Sequence, residues 1–272
     1  MQNYNATADI IKARSKGINP KIGVILGSGL GDFADQVEDR VVIPYDDLPG
    51  FPATGVAGHA GQLVLGRVNG SDVAVMQGRA HFYENAQADI MAAPVRILNA
   101  IGCETLFLTN AAGSLIKEAG PGSVVMLRDH INFVGVSPLF GIEDNSRFVD
   151  LSDAYAPELQ AMLQQSAKDQ DIKLYDGVYM WFCGPHFETP AEIKMAGIMG
   201  ADVVGMSTVP EVILARHAGM KVAAMSIITN HAAGLSNESL SHEHTMQNAG
   251  IAAAKAIKIL NGFMGLYAAG DK

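Results

Sequence analysis

The segment from Gly200 to Gly234, GADVVGMSTVPEVILARHAGMKVAAMSIITNHAAG, constrains the fold more than any other part of the chain. Asp202 to Met206 is an apolar run closed by Ser207 and Thr208, too short for a helix and suited to a buried strand. Thr208-Val209-Pro210-Glu211 has the spacing of a capping box, in which the Thr hydroxyl accepts a backbone N–H and the Glu reaches back. Pro210 stands in the first turn, where a missing N–H costs nothing, and Gly219 suits the helix end. Val222 to Ile228 then reads as a second buried strand. A right-handed crossover would lay the two strands parallel, so that Met206, Ser207, Thr229 and Asn230 emerge at one edge. Open α/β sheets bind ligands at that edge. An ordinary buried β-α-β unit with polar strand ends is the other reading of this segment taken alone.

The remaining composition is compatible with one α/β domain spanning residues 1–272: no Pro/Ser-rich linker, charge block, repeat or low-complexity tract marks a boundary, although length alone would admit two. A net charge of −9 without a Lys/Arg cluster argues against a nucleic-acid or anionic-membrane surface, while leaving room for a small anion held by a few local cations. Cys103 and Cys183 each lie in or beside an apolar, strand-like run, which suits buried thiols in a reducing compartment better than a disulfide framework. MQNYNATADIIKARSKG lacks the apolar core of a signal peptide, and no stretch reaches about 18 apolar residues. A cytoplasmic location is the expectation.

Thr7 to Lys16 has the pattern of a short amphipathic helix, and Lys21 to Leu26 that of a buried strand breaking into Gly27-Ser28-Gly29-Leu30-Gly31. Such a turn lets backbone N–H groups converge on an anion, with the Ser28 hydroxyl as a further donor; a plain tight turn is equally compatible. The glycines run G-x-G-x-G and not G-x-G-x-x-G, no Gly-Lys-Ser/Thr follows, and Leu26 stands where a nucleophile elbow needs glycine. Val41 to Ile43 is a short strand leading into the Gly/Pro loop 44–61, where His59 sits among glycines, either as a functional group or as a surface histidine. Leu63 to Val68 and Val73 to Met76 flank Asn69-Gly70, a hairpin signal that makes the sheet mixed. If the second of these strands continues extended through QGRAHFYE, Arg79, His81 and Tyr83 alternate onto one face. A cation, a titratable donor and a phenol are what phosphate and sugar hydroxyls require; a solvated strand end is the competing reading.

Asp89 to Ile101 reads as a helix and Glu104 to Leu108 as a strand ending in Thr109-Asn110-Ala111-Ala112-Gly113-Ser114, whose small residues permit close backbone approach to an anion, at Ala111 for instance, or simply meet a steric need. Ser123 to Leu127 is another strand. The aperiodic stretch 133–150 carries Phe140 and Phe148, rings that either pack locally or reach another chain. Pro157 to Gln170 reads as a helix and Gly177 to Phe182 as a strand, followed by Phe187 and Glu188. A flat ring covers a heterocycle while a carboxylate accepts its N–H; Glu188 is equally suited to begin the helix through Met199.

Together, ILGSGLG, GHAG, QGRAHFYE, TNAAGS, GPHFETPAEI and GADVVGMSTVPEVILARH with TNHAAG resemble the purine nucleoside phosphorylases of the trimeric, 6-oxopurine-specific kind. The resemblance covers nearly the whole chain and implies a single-domain α/β/α sandwich around a mixed sheet. It implies phosphorolysis, with inorganic phosphate as co-substrate and no metal, nicotinamide cofactor or protein nucleophile. Phosphate would then fall on Ser28, His59, Arg79, His81, the Ala111 backbone and Ser207. The sugar would fall on Tyr83, Met206 and His242, and the base on Phe187, Glu188, Thr229 and Asn230. Glu188, Asn230 and His81 would bear most directly on catalysis. Phe148 matches a phenylalanine that covers the sugar of the neighbouring subunit, implying a homotrimer. The loop from His231 to Leu240 is closer in length to bacterial members, and His186 stands beside the base site. His242-Glu243-His244 is no H-E-x-x-H zinc motif, because position 246 is Met. A hydrolytic nucleosidase, a methylthioadenosine phosphorylase relative and a dehydrogenase resting on GSGLG are the alternatives.

Overall fold

The computed structural model describes residues 4–52, 60–236 and 242–270, the last of these from backbone alone as far as residue 247. The strands are β1 (Ile22–Leu26), β2 (Glu38–Pro44), β3 (Gln62–Val68), β4 (Ser71–Gln77), β5 (Thr105–Ser114), β6 (Val124–Asn132), β7 (Leu174–Trp181), β8 (Val203–Gly205) and β9 (Lys221–His231). The helices are α1 (Tyr4–Arg14), α2 (Phe82–Asn85), α3 (Ala92–Ala100), α4 (Pro157–Asp169), α5 (Pro190–Ile198), α6 (Val209–His217) and α7 (His242–Gly270).

The expected hairpin forms: Asn69 and Gly70 both adopt positive φ (47° and 88°), the backbone of a tight two-residue turn, and β3 pairs antiparallel with β4 and β2. β1 lies parallel between β4 and β5. The sheet is therefore mixed, in the order β2-β3-β4-β1-β5-β8-β7-β6-β9. Because β9 also pairs with β5, the strands β5, β8, β7, β6 and β9 close into a ring, and β5 belongs both to that ring and to the open wing.

Alternation along the central strands divides the core. Ile25, Met76 and Leu108 face the layer containing α1, α3 and α6, while Val24, Val75 and Phe107 face α4 and α7. Phe107 meets Phe263 of α7 edge-on at 5.0 Å, a contact contributing about 0.5–1.5 kcal/mol beyond its area burial. The Asn248–Gly270 part of α7 is long and apolar enough to cross a membrane by composition, but its Ala252, Ala256, Ile259, Leu260 and Phe263 are buried in this second core.

Several expectations are corrected. β8 is antiparallel to β5 and β9 is parallel to it, so the two strands flanking α6 are antiparallel to each other. The crossover rule governs parallel strands of one sheet; ring closure inserts β8 and β9 on different sides of β5, outside that rule. β5 does not stop at Leu108 but runs to Ser114, paired throughout with β9. After Gln77 the chain does not stay extended: Gly78 (φ 113°) breaks it and α2 begins at Phe82. The long helix α7 has no counterpart in the motif reading. Both cysteines are free, and Cys103 is buried as expected, but Cys183 is exposed.

Candidate active site

A cleft of about 310 Å³ opens where β1, β4, β5, β8 and β9 end. Its size suits a nucleoside-sized ligand. At one end, the turn after β1 presents Ser28. The glycine before it is held tightly: a Cβ on Gly27 would lie 2.6 Å from the Thr109 carbonyl oxygen, 2.7 Å from the Asn110 Cα and 2.9 Å from Arg79 Nη2. The Gly27 N–H donates to Thr109 Oγ1 (2.9 Å), so this N–H serves the β1–β5 junction and is not one of the converging anion donors expected of the turn.

Arg79 lines the cleft although its residue surface is only 1% exposed. It donates from Nη1 to Glu211 Oε1 (3.0 Å) and from Nη2 to the Thr109 carbonyl. Glu211, 2% exposed, is the residue read above as half of a capping box. That reading is overturned: Thr208 makes no side-chain cap, and its hydroxyl instead accepts from Asn110 Nδ2 (2.8 Å), whose Oδ1 accepts from Ser226 (2.7 Å). A buried guanidinium without a counter-charge is strongly disfavoured, so the carboxylate is claimed by Arg79 and not by the helix end. Thr208 has φ 75° and ψ −53°, with the Val209 N–H donating to the Ser207 carbonyl (2.9 Å): a γ-turn in a region that β-branched residues rarely occupy. This kink leaves Ser207 in the cleft wall while Glu211 points to Arg79.

His81 and Tyr83 also line the cleft, not by strand alternation but because α2 stacks them, ring centroids 4.8 Å apart and 13° from parallel. Glu84 Oε1 accepts from the His81 N–H (2.7 Å) and lies 3.2 Å from its Nδ1, a partner that orients the imidazole. Burial, then the neighbouring Glu84 charge, pushes the Tyr83 phenol above its ordinary range, so it stays a neutral donor. Ala111 and Met206 complete this part of the wall.

At the other end stand Phe187, Glu188, Thr229 and Asn230. Glu188 does not begin a helix; Thr189 caps α5, accepting from the Glu192 N–H (3.2 Å), while Glu192 Oε2 accepts from the Thr189 N–H (2.7 Å). That releases Glu188, whose buried Oε1 has no partner among the described residues. Burial raises its carboxyl above the usual range; a hydrogen bond from its own backbone opposes that, Glu192 adds to it, and His186 opposes it again. On β9, Ala112 pairs with Ile228 and Gly113 with Asn230, so Thr229 is one residue too many. The resulting bulge aims Asn230 at the cleft. Thr229 Oγ1 donates to Asn230 Oδ1 (2.8 Å), Asn230 Nδ2 donates to the His231 carbonyl (2.9 Å), and the Thr229 carbonyl accepts from Asn248 Nδ2 of α7 (2.9 Å).

Thus Ser28, Arg79, His81, Tyr83, Ala111, Phe187, Glu188, Met206, Ser207, Thr229 and Asn230 converge, as the sequence led us to expect. His59 and the side chain of His242 lie outside the described residues. Phe148 does not line this cleft; it is 74% exposed, beneath the Arg147 guanidinium at 5.1 Å. On α6, His217 Nε2 lies 3.2 Å from Ser146 Oγ. The motif reading did not find Asn110, Asn248 or the true partner of Glu211.

Comparison with known proteins agrees with this geometry. Residues 21–264 match the phosphorylase superfamily. The chain is 48% identical over 232 residues to purine nucleoside phosphorylase 1 of Geobacillus stearothermophilus, covering 84% of this chain and 85% of that one. It is 46% identical over 252 residues to purine nucleoside phosphorylase 1 of Bacillus subtilis, covering 92% and 93%. A Schistosoma purine nucleoside phosphorylase superposes with a TM-score of 0.91 at 37% identity over 97% of each chain. The chain belongs to the phosphorylase superfamily and, within it, to the purine nucleoside phosphorylases.

The close packing at Gly27 has a measurable consequence. Gly27→Ala is expected to cost about 1–3 kcal/mol of stability and, by displacing Arg79, to lower kcat/KM. Thermal unfolding with initial-rate assays checks this; an alanine variant with unchanged Tm and activity contradicts it.

Proposed function

We infer that the cleft seats orthophosphate between Ser28, Arg79, His81, Ala111 and Ser207, a ribose against Tyr83 and Met206, and a 6-oxopurine between Phe187, Glu188 and Asn230. The enzyme transfers the pentosyl group of inosine- or guanosine-type nucleosides to phosphate, releasing the base and (deoxy)ribose 1-phosphate. The observation that carries this reading is the convergence of Arg79 and Asn230 on one cleft, cation at one end and amide at the other. The Schistosoma relative was solved in complex with hypoxanthine, a 6-oxopurine.

The mechanism follows from where charge develops. Phosphate supplies the attacking oxygen, so no protein nucleophile is needed; the wall must hold the anion beneath C1′ while positive character builds on the sugar and negative character on the purine. Thr229 already occupies one lone pair of Asn230 Oδ1, and the His231 carbonyl takes one Nδ2 hydrogen. One acceptor site and one N–H remain, the pair that a purine with a 6-oxygen and a protonated N7 requires. Glu188, with Oε1 unpaired among the described residues, would in its ionised form accept from the ring N1–H. Phe148, exposed on a segment away from its own cleft, is suited to cover the sugar of a neighbouring subunit, and we propose a homotrimer on that basis.

Inosine cleavage is expected to fall to background when phosphate is removed and to return on its addition; cleavage at full rate in phosphate-free buffer would assign the attack to water. Because burial raises the Glu188 carboxyl, its protonation, and with it the loss of inosine binding, sets in at higher pH than for an ordinary glutamate. The pH profile of KM for inosine should therefore show an acid limb that Glu188→Gln abolishes, with KM at neutral pH raised roughly 10- to 100-fold. Asn230→Asp replaces the donor facing the 6-oxygen with an acceptor; the adenosine-to-inosine ratio of kcat/KM should rise at least about tenfold, and an unchanged ratio would remove Asn230 from base recognition.

A further inference from the structure

We propose that Glu211 is a positioning residue that tempers the phosphate end of the cleft, holding the Arg79 guanidinium in place and cancelling much of its charge so that the anionic product can leave. This rests on the phosphate reading above and assigns to that site a residue outside the cleft wall.

Three observations carry it. Arg79 and Glu211 are 1% and 2% exposed, so their charges meet with little solvent between them, and Nη1 and Oε1 are 3.0 Å apart. Of the pair, only the arginine lines the cleft; Glu211 lines a small adjoining cavity with Trp181 and Pro210, which His81 and Ser207 also border. An anion in the cleft therefore meets the positive end of a buried dipole and not an isolated cation. The third observation is that the chain gives up local regularity to make the pair. Glu211 leaves the helix cap unmade and Thr208 adopts a positive φ, with the Asn110–Thr208 hydrogen bond holding the kink. A carboxylate needed only to end a helix requires none of this.

The chemistry supplies the reason. The reaction begins with phosphate and ends with a phosphate ester on the same donors. A full cation in a poorly solvated wall would bind substrate and product anions alike, and uniform tightening of this kind does not raise turnover. The carboxylate removes part of that attraction while keeping the guanidinium's hydrogen-bond geometry.

The test is Glu211→Gln, which retains an acceptor at the same reach and deletes the charge. Phosphate KM should fall by about tenfold or more, and inhibition by ribose 1-phosphate should tighten by a similar factor. The dissociation constant of hypoxanthine, a neutral ligand of the far end, should stay within about twofold. A residue with a merely structural role would not improve binding of two anions when substituted. An unchanged or raised phosphate KM in a folded variant overturns the proposal. Where the single variant does not fold, Arg79→Gln/Glu211→Gln removes both buried charges. Its phosphate KM should then rise by no more than about tenfold, because the pair deleted is nearly neutral; a loss approaching a thousandfold, as for an unshielded cation, overturns it. If wild-type cleavage proves independent of phosphate, the functional reading itself fails first. If cleavage requires phosphate and the variants contradict these outcomes, only the role of Glu211 is lost.

Discussion

The ion pair between Arg79 and Glu211 is the constraint on which the rest of the cleft depends. An arginine at 1% exposure is tolerable only with a partner in place, and that partner comes from the first turn of α6, far along the chain. Joining them fixes three things together: the turn after β4, the turn after β8, and the Gly27 junction, where no side chain fits beside Nη2. The surrounding bonds serve the same arrangement. Tyr45 donates to the Gly78 carbonyl just before the arginine (2.9 Å), and the Ser207 N–H donates to the buried Tyr179 hydroxyl (3.2 Å). The Tyr45 and Tyr179 hydroxyls are acceptable at this depth because each is hydrogen-bonded.

The far end of the cleft is organised by different means. There, a one-residue bulge on β9 turns Asn230 into the cleft, and the neighbouring hydroxyl distinguishes the amide oxygen from its nitrogen. On the proposed reading, phosphate recognition rests on a buried charge pair, whereas base recognition rests on a bulge and a carboxylate with one buried oxygen unpaired among the described residues. Both devices open on one cleft.

Much of the cleft is legible in the sequence because the groups lining it are polar residues stranded next to glycine at the ends of apolar runs, and few structural roles leave that signature. Arg79, His81 and Tyr83 were found for a partly mistaken reason: the alternation assumed for them gives way to α2, yet all three still reach the cleft. Glu211 looks like a cap residue in sequence because a glutamate three residues after a threonine satisfies a local capping pattern regardless of what approaches it in three dimensions. The direction of β8 was misread because pairing around a closed ring is a non-local property. The bulge at Thr229 leaves no local mark, and Asn248 sits in a helix that carries no motif. A buried arginine does offer one clue: it needs an acid, and VPEVILAR places one in an otherwise apolar stretch.

β5 serves at once as a member of the open wing and of the closed ring, and it runs along the floor of the cleft. The two walls therefore share a spine and cannot swing apart like the jaws of a hinged enzyme. On the proposed reading, the shared strand sets the span between the anion and heterocycle positions, and a bulkier nucleoside has to be accommodated by side-chain changes.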